Sequence, residues 1–327
     1  MERLYIAATE PNAGKSVLAL SLALQARRNG ASVRFAKPSA AGSTGSASID
    51  VALALDVLGE ESIVTGGTPP NLAGGDADAS LVLIEGISEK DRADLKSDAD
   101  AAQAAGARSV LIFWYREDAI TEDVVAAAEP FGDRLAGVVL NGVPGLRMHA
   151  VETTLVPEIE AASIPVLGVL QQDRVLHSPT LRELVTFLDA EVIAFPEALD
   201  APVENLMLGA LALDGGIHYY GDTDRKVVIT RWDRPDLQMP ALNTGCQGLI
   251  LTNGGHPIPY VWNRIQELQV PVALVQSGTV AIATSLGAGF LAQRGNPNRR
   301  KVERLADLLP SSAPGLLDLA PARPVTT

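Results

Sequence analysis

The stretch from Ile6 to Ser16, I-A-A-T-E-P-N-A-G-K-S, constrains this chain more than any other. The apolar run from Leu4 to Ala8 predicts a strand, a turn-rich loop follows it, and Gly14-Lys15-Ser16 opens a long apolar helix. This layout is typical of a P-loop, in which backbone N–H groups and a helix N-terminus face an anion, a lysine reaches the terminal phosphates and a hydroxyl ligates magnesium. The stretch therefore predicts phosphate or nucleotide binding.

The usual P-loop pattern, G-x-x-x-x-G-K-[ST], requires a glycine at the position of Thr9. A loop that is one residue longer would instead start at Ala8. The alternative interpretation is an ordinary turn between a strand and a helix, in which Lys15 is simply solvated.

Length and composition indicate a globular protein with two domains. The chain has 327 residues, of which 47% are hydrophobic and 20% charged. A net charge of -13 and a pI near 4.8 disfavour binding to nucleic acid or to anionic lipid, because both require basic clusters. The single cysteine, Cys246, excludes an internal disulfide framework, and we interpret it as a small core residue.

Localisation is predicted from what the sequence lacks. A strand begins almost at the N-terminus, which leaves no room for the charged and apolar regions of a signal peptide. No uninterrupted apolar window of about 18 residues occurs. We expect a cytoplasmic protein without a membrane span.

Buried-type strands alternate with helical segments along the first block of the chain. This spacing predicts an α/β fold: a P-loop parallel sheet covered by helices on both faces, followed by a smaller α/β domain. Prolines punctuate the chain around residue 198, so the expected domains are 1–198 and 199–305, with a loosely ordered tail at 306–327. The second block is expected to open with a helix near Val203 to Leu213.

Ligands of such sheets bind beyond the carboxyl ends of the strands. That edge collects the informative side chains, which are Lys15, Ser16, Lys37, Asp50, Glu85 and Asn141. Magnesium takes one or two carboxylates together with phosphate oxygens, so Ser16, Asp50 and Glu85 are the expected metal ligands. The alternatives are that Asp50 is only a helix N-cap and that Glu85 is an exposed residue at a strand end.

Three strands of the second block each run into a polar loop. The residues expected at one end of its small sheet are Arg231, Asp233, Arg234, Asp236, Thr252, Gly254 and Gly255. Glycines permit close backbone approach and arginines offer planar donors, so these loops are compatible with an anionic effector. The alternative is an internal network of aspartates and arginines that fixes the loops or a dimer interface. The four histidines lack paired ligand spacing, which argues against a histidine metal site.

These residues resemble dethiobiotin synthetase. A-T-E-P-N-A-G-K-S is similar to its G-T-D-T-x-V-G-K-T loop, with Ala8 in place of the first glycine, and F-A-K-P-S-A-A-G resembles its lysine-proline segment. The resemblance implies that Asp50 is a magnesium ligand, that Glu85 belongs to a matching E-G pair, and that Asn141 lies near the adenine base. The expected nucleotide-binding residues are Thr9, Glu10, Asn12, Ala13, Gly14, Lys15, Ser16, Val17 and Asn141.

The chain more closely resembles the N-terminal region of long bacterial phosphotransacetylases and their stand-alone relatives. The segment I-P-V-L-G-V-L-Q-Q-D-R-V-L-H-S-P-T-L-R-E-L has a counterpart there, and the second block resembles the DRTGG domain that follows, with Asp233-Arg234 and then Thr252 and Gly254-Gly255. The resemblance covers nearly all of residues 1 to 305 and implies a homodimer. We expect the acetyltransferase domain itself to be absent.

Three functions are compatible with the sequence. The first is an ATP- and Mg²⁺-binding protein whose second domain senses a ligand or mediates assembly. The second is an ATP-dependent ligase of the dethiobiotin synthetase or cobyrinic acid a,c-diamide synthase type, in which Lys15 and Lys37 would stabilise the transferred phosphoryl group. The third is an assembly partner that no longer turns over nucleotide.

Overall fold

The computed structural model describes residues 1–37, 46–59, 63–65, 79–86, 94–210, 216–290 and 296–320. Its strands are β1 Glu2–Ala8, β2 Val33–Lys37, β3 Ile63–Thr65, β4 Leu81–Glu85, β5 Arg108–Trp114, β6 Leu135–Val143, β7 Val166–Gln171, β8 Glu191–Ala194, β9 Asn205–Gly209, β10 Lys226–Arg231, β11 Gly248–Thr252 and β12 Val272–Val275.

The α-helices are α1 Lys15–Arg28, α2 Ser46–Leu58, α3 Leu95–Ala104, α4 Thr121–Ala128, α5 Met148–Ala150, α6 Val156–Ala161, α7 Arg174–His177, α8 Leu181–Phe187, α9 Gly216–Gly221, α10 Pro235–Asn243, α11 Pro259–Leu268, α12 Thr279–Ser285, α13 Arg299–Ser312 and α14 Pro314–Asp318. Turns of 3₁₀-helix are Glu129–Arg134, Gly145–Arg147 and Pro196–Ala198, and π-helical turns are Val151–Leu155 and Leu286–Phe290.

The chain forms two compact units. The first consists of Met1–Leu176 together with Pro297–Thr327, and the second is His177–Asn296. The predicted boundary at residue 198 is therefore wrong. The prolines around that position stand in a turn between β8 and β9, and β8 already pairs with β12 of the second unit. Proline indicates that a strand or helix is interrupted, and such interruptions occur within domains as well as between them.

The first unit is built on a sheet whose described strands run in the order β3-β2-β4-β1-β5-β6-β7, with every pair parallel. Its inner strands are aliphatic runs, as expected of strands that helices cover on both faces. One apolar core contains α1 residues such as Leu18 and Leu22, and another contains α3 residues such as Ala101 and Ala102. The predicted parallel α/β fold is confirmed.

The C-terminal segment belongs to the first core. Val302, Leu305 and Leu309 of α13 are buried with Leu18 and other residues of α1, and Ser21 Oγ donates to the Val302 carbonyl at 2.8 Å. The predicted loosely ordered tail at 306–327 is thus wrong for residues 306–320, and residues 321–327 lie outside the described part. The apolar residues of this segment have the spacing of a buried helix face, but its prolines led to the prediction of a loose tail.

The second unit is a smaller α/β unit with strand order β8-β12-β11-β10-β9. Strands β9 to β12 pair in parallel, and β8 is antiparallel at one edge. The helix predicted near Val203 to Leu213 is wrong, because β9 occupies Asn205–Gly209 within that range. Short apolar runs do not discriminate strand from helix, and here pairing with β10 decides.

Candidate functional site

The loop between β1 and α1 is held by the neighbouring strand β5. The Thr9 N–H donates to the Ile112 carbonyl at 3.0 Å, and Thr9 Oγ1 accepts the Trp114 N–H at 3.2 Å. The loop then turns through left-handed backbone at Asn12, with φ of 57°, and at Gly14, with φ of 96°. Gly14 is the N-cap of α1, so the helix N-terminus opens at the end of this loop.

Asn141 on β6 fixes the same loop from a second side. Its Nδ2 donates to the Ala13 carbonyl at 2.9 Å. A Cβ at Gly14 would stand 3.1 Å from that nitrogen and would force a left-handed φ on a larger residue. Glycine is therefore required where the loop enters α1, and Asn141 contacts the loop backbone directly.

Lys15, the first residue of α1, is only 6% exposed. The interpretation of Lys15 as a solvated turn lysine is therefore wrong. Burial lowers the pKa of its ammonium, and the carboxylates of Asp98 and then Glu85 oppose that change. The charge of Lys15 is thus held in a partly desolvated site that already contains carboxylates.

Four side chains from four elements form one hydrogen-bond network, here called the Lys37 network: Ser16 of α1, Lys37 of β2, Asp50 of α2 and Glu85 of β4. Lys37 Nζ donates to Asp50 Oδ2 and, at 2.9 Å, to Glu85 Oε1. Ser16 Oγ donates to the same Glu85 oxygen at 2.7 Å. The structure therefore brings together all three predicted metal ligands and one predicted catalytic lysine.

Sheet order explains the assembly. Strand β4 lies between β2 and β1, so the carboxyl ends that carry Lys37 and Glu85 are adjacent to the start of α1. Asp50 lies inside α2, which begins at Ser46, so its interpretation as an N-cap is wrong. Glu85 is 1% exposed, so its interpretation as an exposed strand-end residue is also wrong.

The donor set of the Lys37 network suits a small hard cation. Among the described residues Glu85 Oε2 is buried and has no hydrogen-bond partner, so this carboxylate oxygen is available to a ligand. Two carboxylates and a hydroxyl are oxygen ligands of the kind that Mg²⁺ takes beside water and phosphate. Within the described residues no group of three or more His, Cys, Asp or Glu side chains is placed to hold a metal, so the set is complete only with further oxygen ligands.

Burial and charge oppose each other in this network. Burial raises the pKa of the Glu85 carboxyl, and the nearby Lys37 ammonium opposes the change. Burial alone would lower the pKa of Lys37, but the carboxylates of Glu85 and Asp50 outweigh it and raise that pKa. The two carboxylates thus favour the charged form of Lys37, whereas burial disfavours the charged form of Glu85.

A third buried acid, Asp98, was missed from the sequence. Asp98 of α3 is 1% exposed and accepts the Tyr5 hydroxyl at 2.7 Å. Its Oδ1 would lie 2.9 Å from a Cβ at Gly86, the residue after Glu85. A tyrosine inside the aliphatic strand β1 was the available signal, because a buried hydroxyl needs a polar partner.

In the second unit, the predicted arginines pair within their own loop. Arg231 donates to Asp233 at 2.9 and 2.5 Å, and Arg234 donates to Asp236 at distances down to 2.6 Å. Gln238 fixes the loop further, since its Nε2 donates to the Arg231 carbonyl at 2.8 Å. The contacts match the alternative of a loop-fixing network of aspartates and arginines.

The other predicted residues of the second unit lie at the end of β11 and on the loop that follows it. Thr252 Oγ1 and Thr279 Oγ1 are 2.8 Å apart. Gly254 has a φ of 68°, and a Cβ at Gly255 would meet the ring of Trp232 at 2.1 Å. These glycines make room for neighbouring side chains of the same unit. Cys246 is a buried core residue, as predicted.

No α-helix in the part of the chain that the structure describes has the length and apolar character needed to cross a bilayer.

Residues 183–288 match the family model of the DRTGG domain. The chain is also similar to phosphate acetyltransferase from Synechocystis sp., with 28% identity over 157 residues, which is 44% of this chain and 22% of that protein. The chain thus spans about a fifth of the length of this curated relative. The predicted DRTGG domain is confirmed in the second unit, and the finer likeness of the first unit to dethiobiotin synthetase stays a prediction.

Among solved structures, the CBS and DRTGG domains of the regulatory region of Clostridium perfringens pyrophosphatase, complexed with the activator diadenosine tetraphosphate, are 13% identical, with 55% of this chain and 75% of that chain covered at a TM-score of 0.30. A nucleotide-binding protein from Archaeoglobus fulgidus in complex with ADP is 15% identical, with 53% and 82% covered at a TM-score of 0.36. Likenesses of this size do not assign a function.

Proposed function

We propose that the first unit binds ATP or a related nucleotide together with Mg²⁺, and that the DRTGG unit is a regulatory or ligand-sensing domain. One observation carries the proposal: a buried P-loop lysine, Lys15, stands at a helix N-terminus beside the Lys37 network. Helix N-termini and lysines bind phosphate, and paired carboxylates with a hydroxyl bind its cation. Ser16, Asp50 and Glu85 would hold Mg²⁺, whose charge would neutralise that of the phosphates.

The proposed nucleotide contacts follow the loop. Thr9, Glu10, Asn12, Ala13, Gly14, Lys15, Ser16 and Val17 would surround the phosphates. Because Asn141 donates to the loop backbone, we infer that it shapes the phosphate cradle as well as facing the adenine side. The position near the adenine base, which the resemblance to dethiobiotin synthetase implies for Asn141, remains part of the proposal.

Calorimetric titration with ATP, in the presence and in the absence of Mg²⁺, tests this function. We expect magnesium-dependent binding that falls at least about tenfold in Lys15→Ala, since the variant lacks the ammonium that neutralises phosphate. Asp50→Asn should weaken binding of the magnesium complex more than binding of free ATP. ATP binding that is unchanged in Lys15→Ala would refute the proposal.

A ligase is the second candidate, because two lysines converge on the same site. Lys15 and Lys37 would together stabilise a transferred phosphoryl group, as in the dethiobiotin synthetase type of reaction. Phosphate release that rises only when a carboxylic acid such as diaminopelargonate is supplied would favour this function. ATP binding without release for any acid supplied would favour the regulatory function.

The role of the second unit is proposed from its DRTGG match. A small-molecule effector or a second copy of the chain would act on it, and an assembly role without nucleotide turnover is the remaining alternative. A metabolite binding screen with the intact protein, read by thermal shift, tests for an effector. Sedimentation analysis tests the expected homodimer.

A further inference from the structure

The ammonium of Lys37 lies where the proposed function requires a divalent cation. Lys37 Nζ contacts both Asp50 and Glu85, and these acids are the two proposed carboxylate ligands. The three side chains are 10%, 10% and 2% exposed, so water screens the contacts little. The protein therefore supplies its own cation to its metal ligands.

We propose that in the nucleotide-free protein Lys37 excludes a divalent cation from Asp50 and Glu85, so that the cation binds only together with nucleotide phosphates. The proposal rests on the proposed function for the identity of the metal ligands. It adds that Lys37 couples the binding of the metal to the binding of the nucleotide.

The physical reason is the scarcity of acceptors around Lys37. The hydrogen bonds of its Nζ in the described residues go to Asp50 and Glu85, and both are charge-assisted. A divalent cation on these two carboxylates would repel the ammonium and would leave it buried without an anion, which is unfavourable. Phosphate oxygens offer Lys37 a new anionic acceptor in the same site, which removes that penalty.

Ser16 strengthens the exclusion. Its hydroxyl donates to Glu85 Oε1, the same oxygen that accepts from Lys37. This oxygen thus accepts from two donors, and among the described residues Glu85 Oε2 is a buried carboxylate oxygen without a hydrogen-bond partner. A pair of carboxylates that already accept hydrogen bonds from Lys37 and Ser16 is a poor site for a hard cation, which takes about six ligands.

Binding of Mn²⁺ to the nucleotide-free protein, followed by electron paramagnetic resonance, tests the proposal. Mn²⁺ takes carboxylate oxygens as Mg²⁺ does and is visible to this method. Lys37→Met keeps a chain of similar length without the charge, and we expect it to bind Mn²⁺ at least about tenfold more tightly than the wild type, which corresponds to about 1.4 kcal/mol. Lys37→Gln provides a second uncharged variant should Lys37→Met fold poorly.

Lys15→Met is the matched control. It removes the same charge from the same site but frees no oxygen of Asp50 or Glu85, since those oxygens bond to Lys37 and Ser16. A general effect of charge would raise the Mn²⁺ affinity equally in Lys15→Met and Lys37→Met. We expect the gain to be concentrated in Lys37→Met and to disappear when Asp50→Asn is added.

The proposal is overturned if the nucleotide-free wild type binds Mn²⁺ as tightly as the Lys37 variants do. It is also overturned if the wild type binds one Mn²⁺ equally tightly with and without ATP, and if Asp50→Asn abolishes the binding measured without ATP. Parallel ATP titrations separate the two proposals. Normal ATP binding with no gain in Lys37→Met refutes this inference alone, whereas absent ATP binding refutes the proposed function.

Discussion

Both units carry loops at the carboxyl ends of parallel strands, yet their basic side chains form different kinds of ion pair. In the first unit, Lys37 contacts acids that lie 13 and 48 residues away in the sequence, and the three side chains are at most 10% exposed. In the second unit, Arg231 and Arg234 each form an ion pair with the aspartate two residues later, and these pairs are largely exposed to solvent.

The difference distinguishes a candidate functional site, the Lys37 network, from a loop that local ion pairs stabilise. An ion pair between residues two positions apart forms wherever the local backbone permits, so it says little about what the fold has brought together. A buried cluster drawn from four elements exists only when the whole sheet has assembled. Because burial of charge is unfavourable, such a cluster indicates a role other than stability.

The largest effect that we predict follows from removing the cation of the buried cluster. Lys37→Met leaves the carboxylates of Asp50 and Glu85 without their shared ammonium, so the free energy of unfolding should fall by about 3–5 kcal/mol at pH 7. Urea denaturation measures this loss. It should shrink as the pH falls, because the pKa of Glu85 is already raised by burial and a protonated carboxyl needs no counter-charge.

The direction of the pH effect can be contradicted. Lys37 has a raised pKa in the folded protein, so its contribution is present at neutral pH and is lost only as the pH rises through that value. Between neutral and acidic pH the change must therefore come from the Glu85 carboxyl, whose pKa burial raises. A loss of stability in Lys37→Met that stays constant down to a pH of about 4 would contradict the contact between Lys37 and a Glu85 carboxyl of raised pKa.

An intermediate effect is predicted at the glycines of the two edges. A Cβ at Gly86 would meet the Ile6 carbonyl at 2.7 Å, which is backbone of the central strand and cannot move aside. Gly86→Ala should therefore lower the free energy of unfolding by about 1–3 kcal/mol, as overpacking does, and should weaken ATP binding because Glu85 is displaced. Circular dichroism during urea denaturation and ATP calorimetry measure both effects.

Gly255→Ala is the matched control in the second unit. Its Cβ would meet the ring of Trp232, a side chain that is 37% exposed and free to turn outward. We expect a smaller loss of stability than for Gly86→Ala and no change in ATP affinity. A larger loss for Gly255→Ala would mean that the loops of the second unit are packed as rigidly as those of the first.

Much of the first unit follows from its sequence because its signals are local. Aliphatic runs predict the buried strands, and the turn before Lys15 predicts the loop that enters α1. Strand order is not a local property, but the rule that ligands lie at the carboxyl ends of strands still groups Lys37, Asp50 and Glu85. The sequence therefore predicts which residues meet without predicting how they pair.

What the sequence could not show depends on pairing across long separations. The contact of Tyr5 with Asp98 spans 93 residues, and the packing of Ser21 on the chain at Val302 spans 281. Each depends on an arrangement of elements that no local pattern encodes. The misplaced boundary near residue 198 and the helix expected in place of β9 have the same cause, since partners in the sheet decide both.

The smallest effect on stability is predicted for a solvent-exposed ion pair of the second unit. Arg234→Ala removes a pair with Asp236 that is open to solvent, so the free energy of unfolding should change by less than about 1 kcal/mol at pH 7. The hydrogen bond from Arg234 lowers the pKa of Asp236, so this small contribution is present above the ordinary carboxyl pKa and is lost as the pH falls through the lowered value. Urea denaturation at pH 7 and at a pH of about 2.5 measures the difference.

Arg234→Ala also tests whether the polar loops of the second unit affect nucleotide binding by the first. Arg234 belongs to the second unit, whereas the Lys37 network belongs to the first. ATP affinity in Arg234→Ala should therefore equal that of the wild type within about a factor of two, which is about 0.4 kcal/mol. A tenfold loss of ATP affinity would show that Arg234 contributes to nucleotide binding. The interpretation of its ion pair as one that only stabilises a loop would then be wrong.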